Sequence, residues 1–212
     1  GYNLLVDTST DLRQQSLANK ITRIDAILYT HHHADHILGL EELRCFNHFN
    51  NMVIPCYGRE ETFSKIRETF HYIFAADSSY NGWVSKVELH PIETKPFTLG
   101  GILIAPVEIM HGEMTILAYK FNNNSAYVTD CSAIPENSKN KLKNLDLLIL
   151  NALRHDPHPN HLTLSAALDL VEELQPKRAL LTHMNHQIDY KRVSKDLPEG
   201  VKLAYDGLCV EV

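Results

Sequence analysis

A run of metal-binding side chains directly after a predicted strand limits the folds and functions that this chain can have. The apolar segment 25–29 has the composition of a short strand, and it continues into Thr30-His31-His32-His33-Ala34-Asp35-His36. This run therefore lies at the carboxyl end of a strand, which is where open α/β sheets bind their ligands. Its four imidazoles and one carboxylate suit Zn²⁺, Mn²⁺ or iron. A solvated polar loop is the alternative, but a carboxylate held between a strand and a helix favours a metal site.

Further metal-binding side chains follow three other predicted strands. They come where the apolar runs 102–110, 126–129 and 178–182 end, and they are His111, Asp130 and His183. One such histidine alone is more often a packed or surface residue than a ligand. Four strand ends that all carry metal-binding side chains are hard to explain by packing.

The order of the predicted elements indicates a single α/β domain over residues 1–212. Alternating strands and helices occupy both ends of the chain, and short apolar runs between 84 and 129 predict an antiparallel block. One helix is predicted over 60–74. The turn Asp206-Gly207 predicts a final hairpin that pairs 201–205 with 208–212.

Charge and cysteine content exclude several classes of protein. The net charge of −6 gives no general attraction to nucleic acid. No apolar run approaches the 18 or more residues of a membrane span. Four widely spaced cysteines without a CxxC pair do not form a disulfide framework, which favours reduced thiols and a cytoplasmic location.

These motifs together resemble the metallo-β-lactamase superfamily of binuclear hydrolases. The resemblance implies an α/β (α+β) fold, a four-layer αββα sandwich, with two divalent metal ions, Zn or Mn. The ligands that it implies for the first ion are His31, His33 and His111. Those implied for the second are Asp35, His36 and His183. Asp130 would bridge the two ions.

Two details refine the resemblance. A bridging Asp130 departs from the β-lactamases proper, and strand alternation should turn the neighbouring Cys131 away, which disfavours β-lactam hydrolysis. Asp7 resembles the superfamily's early aspartate, whose carboxylate orients the ligand histidines.

Two close metals can share a hydroxide that attacks an ester, a thioester, a lactam or a phosphodiester.

The segment 152–163 narrows the choice among these substrate classes. It places Arg154 and His161 in a loop between a strand and a helix. Cationic donors of this kind suit a phosphoryl oxygen and a leaving alkoxide. With the sequences around Asp130 and His183, this loop resembles the phosphodiesterases that open phosphoribosyl 1,2-cyclic phosphate. The resemblance implies a small phosphodiester substrate, Asp35 and His161 as catalytic residues, and phosphate contacts from His161 and Arg154.

The same branch has a strand and a Cys-rich segment upstream, which this chain lacks. That segment binds a structural zinc together with a histidine, and His186 occupies the matching position. Either the segment belongs to a longer protein and binds one structural zinc, or His186 is an ordinary surface residue; the strand predicted at 1–6, which needs neighbours, favours the first. The resemblance also implies a homodimer.

Alternative functions remain open at this point. The same ligand set occurs in tRNA 3′-end endonucleases, but no Lys/Arg-rich insertion for tRNA is present. Thioesterases of the superfamily share the ligands, but the chain has no room for their C-terminal helical domain after His183. A metal-binding protein without turnover is a third alternative, and the complete ligand set argues against it. No feature supports a membrane-binding role.

Overall fold

The structure is a computed structural model that describes residues 1–75 and 84–212. The chain divides into two compact units, Gly1–Glu93 and Thr94–Val212. Each unit contains one β-sheet, helices and its own apolar cluster. The expected mixed α/β class is confirmed.

A parallel four-stranded sheet, in the order β1-β2-β3-β4, forms the centre of the first unit. The strands are β1 (Leu4–Val6), β2 (Ala26–Leu28), β3 (Ile54–Gly58) and β4 (Val87–Pro91). The helices are α1 (Leu12–Ala18), α2 (Ala34–Ile37), a 3₁₀ helix (Leu38–Glu42), α3 (Leu43–Asn50), α4 (Glu60–Thr69) and α5 (His71–Phe74). All of β2 is buried, as its unbroken apolar sequence predicts for an inner parallel strand. Its carboxyl end leads into the histidine run.

The second unit has a mixed seven-stranded sheet in the order β11-β10-β9-β8-β7-β6-β5. Strands β8 to β11 are parallel, and β5 to β8 are antiparallel. The strands are β5 (Phe97–Leu99), β6 (Ile102–His111), β7 (Met114–Phe121), β8 (Ser125–Val128), β9 (Leu147–Asn151), β10 (Ala179–Thr182) and β11 (Val201–Leu203). The helices are α6 (Glu136–Leu142), α7 (Leu164–Leu174) and α8 (Tyr190–Asp196). Strands β6, β8, β9 and β10 each end at or beside a polar residue of the candidate site.

The predicted C-terminal hairpin is wrong. Residues 206 and 207 do form a turn, which the Leu208 amide closes on the Tyr205 carbonyl at 3.0 Å. The segment 208–212 forms no strand, and β11 pairs in parallel with β10 alone. Most of this segment is exposed, so it buries too little apolar surface to extend the sheet.

The helix predicted over 60–74 is divided in two. Phe70 separates α4 from α5, with φ −111° and ψ 41°, outside the helical region. Its side chain is buried in the apolar cluster of the first unit. The helix breaks where this aromatic ring packs into the cluster. The apolar spacing alone predicts one continuous helix.

Three elements were not predicted from the sequence, namely β5, α6 and α8. The start of α8 does carry a local signal, because the Asp189 carboxylate accepts a hydrogen bond from the Arg192 amide at 2.8 Å. The four cysteines are free thiols, as expected. Across the described residues, the helices are too short or too polar to cross a membrane.

Candidate metal centre

Four candidate ligands of the first unit form what we call the first donor group, consisting of His31, His33, Asp35 and His36. His31 and His36 are buried, His33 is half-buried and Asp35 is exposed. The ring centroid of His31 lies 4.6 Å from that of His33 and 4.2 Å from that of His36. Asp35 Oδ2 lies 3.3 Å from His36 Nε2. Asp35 and His36 lie in helix α2, which turns them back towards the loop that carries His31 and His33.

The buried carboxylate of Asp7 contacts this group. Asp7 Oδ1 accepts a hydrogen bond from the Thr30 amide at 2.8 Å. Asp7 Oδ2 accepts one from the Thr30 hydroxyl at 2.8 Å and lies 2.7 Å from His36 Nδ1. Burial raises the pKa of Asp7, and the hydrogen bonds from His36 and Thr30 oppose that rise.

These contacts determine which ring nitrogen of each histidine carries the proton. The ionised carboxylate of Asp7 only accepts hydrogen bonds, so His36 Nδ1 must donate. Because the Thr30 hydroxyl gives its proton to Asp7, its 3.0 Å contact with His31 Nδ1 is donated by the histidine. In both rings Nε2 is therefore the nitrogen left to bind a metal, which it does in its unprotonated form.

The second donor group lies in the second unit and consists of the candidate ligands His111, Asp130 and His183 together with His161. His111 ends β6, and its Nδ1 lies 2.6 Å from the Asp130 carbonyl oxygen and 3.0 Å from that of Asn160. Carbonyl oxygens only accept, so His111 Nδ1 carries a proton and Nε2 is the nitrogen left to bind a metal. In this respect His111 resembles His31 and His36.

Two members of the second group have an uncommon backbone conformation. Asp130 and His183 follow β8 and β10 with φ of 54° and 56°, and Asp7 has φ of 59°. Left-handed conformation is uncommon for residues other than glycine, and such residues often occur at functional sites. The Asp130 carboxylate accepts a 2.6 Å hydrogen bond from the Thr129 hydroxyl, and its Oδ1 lies 3.4 Å from His183 Nδ1.

His161 lies among the other imidazoles of the second unit. Its ring centroid is 4.8 Å from that of His111, 5.0 Å from that of His183 and 4.9 Å from that of His158. One donor atom each of His111, Asp130 and His161 fall within 4.8 Å of one another. Burial lowers the pKa of His161 to about 4; Asp130 opposes this, and the neighbouring histidines add to it. The ring is therefore neutral at pH 7.

Three further residues considered in the sequence analysis lie outside the two donor groups. Arg154 donates from Nε to the Asp156 carbonyl at 3.1 Å and from Nη2 to the Pro157 carbonyl at 2.6 Å. Two of its five N–H groups are therefore used within its own loop. His186 is exposed, and within residues 1–75 and 84–212 it belongs to no group of three metal donors. Burial raises the pKa of Cys131 to about 12, which keeps this thiol protonated.

Sequence reasoning missed two asparagines that hold the second group. Asn160 supplies a carbonyl to His111, and the side chain of Asn151 binds the backbone of Cys131. Asn151 had a visible signal, because it is an amide at the end of an apolar strand that runs beside those leading to Asp130 and His183. Asn160 had no such signal, because its contact is made by main-chain atoms.

The residues of both groups fit divalent metal ions. Imidazole and carboxylate ligands suit Zn²⁺ and Mn²⁺. Three buried histidines have Nδ1 committed to a carboxylate, a hydroxyl or a carbonyl, which leaves Nε2 to bind a metal. Residues 2–184 match the description "Beta-lactamase superfamily domain".

The chain belongs to the metallo-β-lactamase superfamily. Its structure is similar to that of a diphosphatase from the PhnP family, with a TM-score of 0.90 and 39% identity over 99% of this chain and 79% of the other. Human tRNase Z, short form, has a TM-score of 0.74 at 20% identity over 97% of this chain and 86% of the other, which shows the fold alone. The resemblance predicted from the motifs is confirmed.

A further relative is an octanoyltransferase of Porphyromonas gingivalis (strain ATCC BAA-308 / W83). It is 32% identical over 211 residues, which are 98% of this chain. The chain spans only 42% of that protein's length. Together with the family match, the comparisons support a metallo-β-lactamase fold with candidate metal-binding residues.

Proposed function

We propose that the chain hydrolyses a small phosphodiester, such as phosphoribosyl 1,2-cyclic phosphate, with two divalent metal ions, Zn or Mn. The observation that carries the proposal is the shared orientation of His31, His36 and His111, each of which has Nδ1 committed to a hydrogen bond and Nε2 left to bind a metal. The similarity to a PhnP-family diphosphatase supports phosphoryl chemistry.

The metal assignment follows the pattern that the family resemblance implies. The first ion would be held by His31, His33 and His111. The second ion would be held by Asp35, His36 and His183. Asp130 would bind both. Bound divalent metals supply an activated water at neutral pH and positive charge for the attacked phosphoryl group.

The remaining residues would orient ligands and substrate. Asp7 and Thr30 fix the rings of His31 and His36, while main-chain carbonyls fix His111. His161 would contact a phosphate oxygen and deliver a proton to the leaving oxygen. Because the ring is neutral at pH 7 without substrate, it would have to take up this proton when an anionic phosphate binds beside it, since negative charge raises the pKa of an imidazole. The unused N–H groups of Arg154 would bind the same phosphate.

We also propose the organisation of the protein, its location and the class of its substrate. A single functional domain, a homodimer and a structural zinc at His186 with upstream cysteines follow from the resemblance. Free thiols support a cytoplasmic location. The net charge of −6 favours a small-molecule substrate over tRNA. Octanoyl transfer is not assigned to this chain, which spans less than half of the relative with that name.

Diphosphate hydrolysis is the second candidate, because a diphosphatase is 39% identical to the chain. A substrate panel separates the alternatives. It contains bis(p-nitrophenyl) phosphate, phosphoribosyl 1,2-cyclic phosphate, a nucleoside diphosphate, an S-acyl glutathione and a β-lactam. We expect turnover of the two diesters. Turnover of the diphosphate alone would select the second candidate, and turnover of the thioester or lactam alone would contradict both.

His161 is tested by substitution with alanine. We expect His161→Ala to keep the metal content of the wild type and to lose about 10²–10⁴ in rate, the usual contribution of an acid–base group. His155→Ala is the matched control, because His155 is an exposed histidine of the same loop. An unchanged rate in His161→Ala would remove this residue from the mechanism.

A further inference from the structure

The peptide group between Asp130 and Cys131 is held on both of its sides. Its carbonyl oxygen accepts the 2.6 Å hydrogen bond from His111 Nδ1. Its N–H donates to the Asn151 side-chain oxygen at 2.7 Å. In a trans peptide the C=O and N–H point in opposite directions, so these two contacts together fix the rotation of the peptide plane.

Asn151 binds the backbone of Cys131 at a second point. Its side-chain nitrogen donates to the Cys131 carbonyl at 3.1 Å, so one side chain pairs with both polar backbone groups of this residue. Asn151 is buried at the end of β9, where an unpaired backbone group would be costly. It contacts the segment directly after Asp130 without being a metal donor itself.

The rotation of this peptide determines the geometry of two candidate ligands. Asp130 has the left-handed φ of 54°, and turning the Asp130–Cys131 peptide would change the backbone conformation of Asp130. The same turn would carry the Asp130 carbonyl away from His111 Nδ1, which would then keep only the longer 3.0 Å contact with the Asn160 carbonyl. Both ligands therefore depend on the orientation of one peptide plane.

We propose that Asn151 is a positioning residue for the metal centre. It holds the Asp130–Cys131 peptide in the orientation that aims the Asp130 carboxylate and keeps the Asp130 carbonyl on His111 Nδ1. The inference rests on the metal centre of the proposed function. It adds a residue of β9, a strand that carries none of the candidate ligands.

The chain contains a matched control for this role. Asn47 is a buried asparagine of the first unit that pairs in the same way with the backbone of Lys86. Its Oδ1 accepts from the Lys86 amide and its Nδ2 donates to the Lys86 carbonyl, both at 2.8 Å. No candidate ligand adjoins Lys86, so loss of this pairing should affect stability alone.

The experiment compares the wild type with Asn151→Leu, Asn151→Asp and Asn47→Leu. Each full-length protein is titrated with Zn²⁺ and with Co²⁺, whose visible absorption reports the ligand geometry. We expect Asn151→Leu to bind metal about 10–100-fold more weakly, the usual effect of removing a partner of a ligand. Asn151→Asp keeps the acceptor for the Cys131 amide and should lose less. Asn47→Leu should match the wild type in affinity and absorption, although its melting temperature falls.

Several outcomes would overturn the proposal. Folded Asn151 variants with wild-type affinity and an unchanged cobalt spectrum would do so. An equal loss of affinity in Asn47→Leu would show that only general stability is involved. If Asn151→Leu does not fold, Asn151→Asp decides, and wild-type metal binding by that variant overturns the proposal. A wild type that binds no metal would instead refute the proposed function itself.

Discussion

In the first donor group the candidate ligands are nearly consecutive in sequence, whereas the members of the second come from four separate segments. The rings of His31 and His36 are both oriented by one side chain, the carboxylate of Asp7. The ring of His111 is oriented by main-chain carbonyls, and Asp130 by a left-handed backbone that Asn151 holds in place. The first group therefore depends on one carboxylate and the second on the path of the backbone.

This difference determines how each group responds to substitution. A change at Asp7 alters two ligands at once without removing either of them. In the second group, most of the orienting contacts are made by backbone atoms, which substitution leaves in place. The ligands themselves and Asn151 are the sensitive positions there. The predictions below test this contrast, in order of decreasing effect.

The largest effect is expected for Asp130→Ala. This change removes the ligand that would bind both ions, so metal content should fall from about two ions per chain to less than one and diester turnover to background. Metal analysis of the purified variant, with turnover measured alongside, checks this. Two tightly bound ions in Asp130→Ala would exclude the bridging role.

An intermediate effect is expected for Asp7→Asn. The amide group of asparagine would face either His36 Nδ1 or the Thr30 amide, and both of these donate hydrogen bonds. If it faces His36, the ring must move its proton to Nε2, which can then no longer bind a metal. We expect metal affinity to fall about 10–100-fold, measured by titration of the metal-free chain. Wild-type affinity would show that the first group does not depend on this carboxylate.

The smallest effect is expected for Asp25→Asn, which is the control for Asp7→Asn. Asp25 is also a buried carboxylate of the first unit that accepts a backbone amide, here that of Asn3 at 2.8 Å. It also accepts a 2.6 Å hydrogen bond from Arg23, whose side chain is half exposed. We expect metal affinity to stay unchanged and the free energy of unfolding to fall by about 1 kcal/mol.

The pH dependence of that loss has a definite sign. Burial opposes ionisation of Asp25, but the hydrogen bonds from Asn3 and Arg23 bring its pKa below the ordinary value. The stabilisation is therefore complete above the unfolded pKa of about 3.9 and disappears as the pH falls through the lower folded pKa. The stability difference between wild type and Asp25→Asn should be constant from pH 7 to about pH 5 and should shrink below about pH 4. A difference that grows on acidification would contradict this account.

The two donor groups also differ in how far they could be predicted from sequence. The first group is local, and a strand followed by four histidines and an aspartate identified its candidates without any tertiary information. Members of the second group were identified only because each follows a strand. Asn151 and Asn160 were missed, because their contacts join segments about 20 to 50 residues apart in sequence.

The fold shows the same division between local and distant signals. The inner strand β2 was predicted from an apolar run, since burial on both faces leaves a direct pattern. The turn at Asp206-Gly207 was also predicted, but the strand expected after it does not form. Turn residues act locally, whereas strand pairing requires apolar surface to cover, which the exposed segment 208–212 does not find.

The most direct test of the central claim is a titration of the metal-free chain with Zn²⁺ or Mn²⁺ during turnover of bis(p-nitrophenyl) phosphate. The account predicts that activity rises with added metal and reaches its plateau at about two ions per chain. Tight binding of about two ions without hydrolysis of any diester would contradict the proposed phosphodiesterase. Failure to bind even one ion would contradict the assignment of both donor groups as metal ligands.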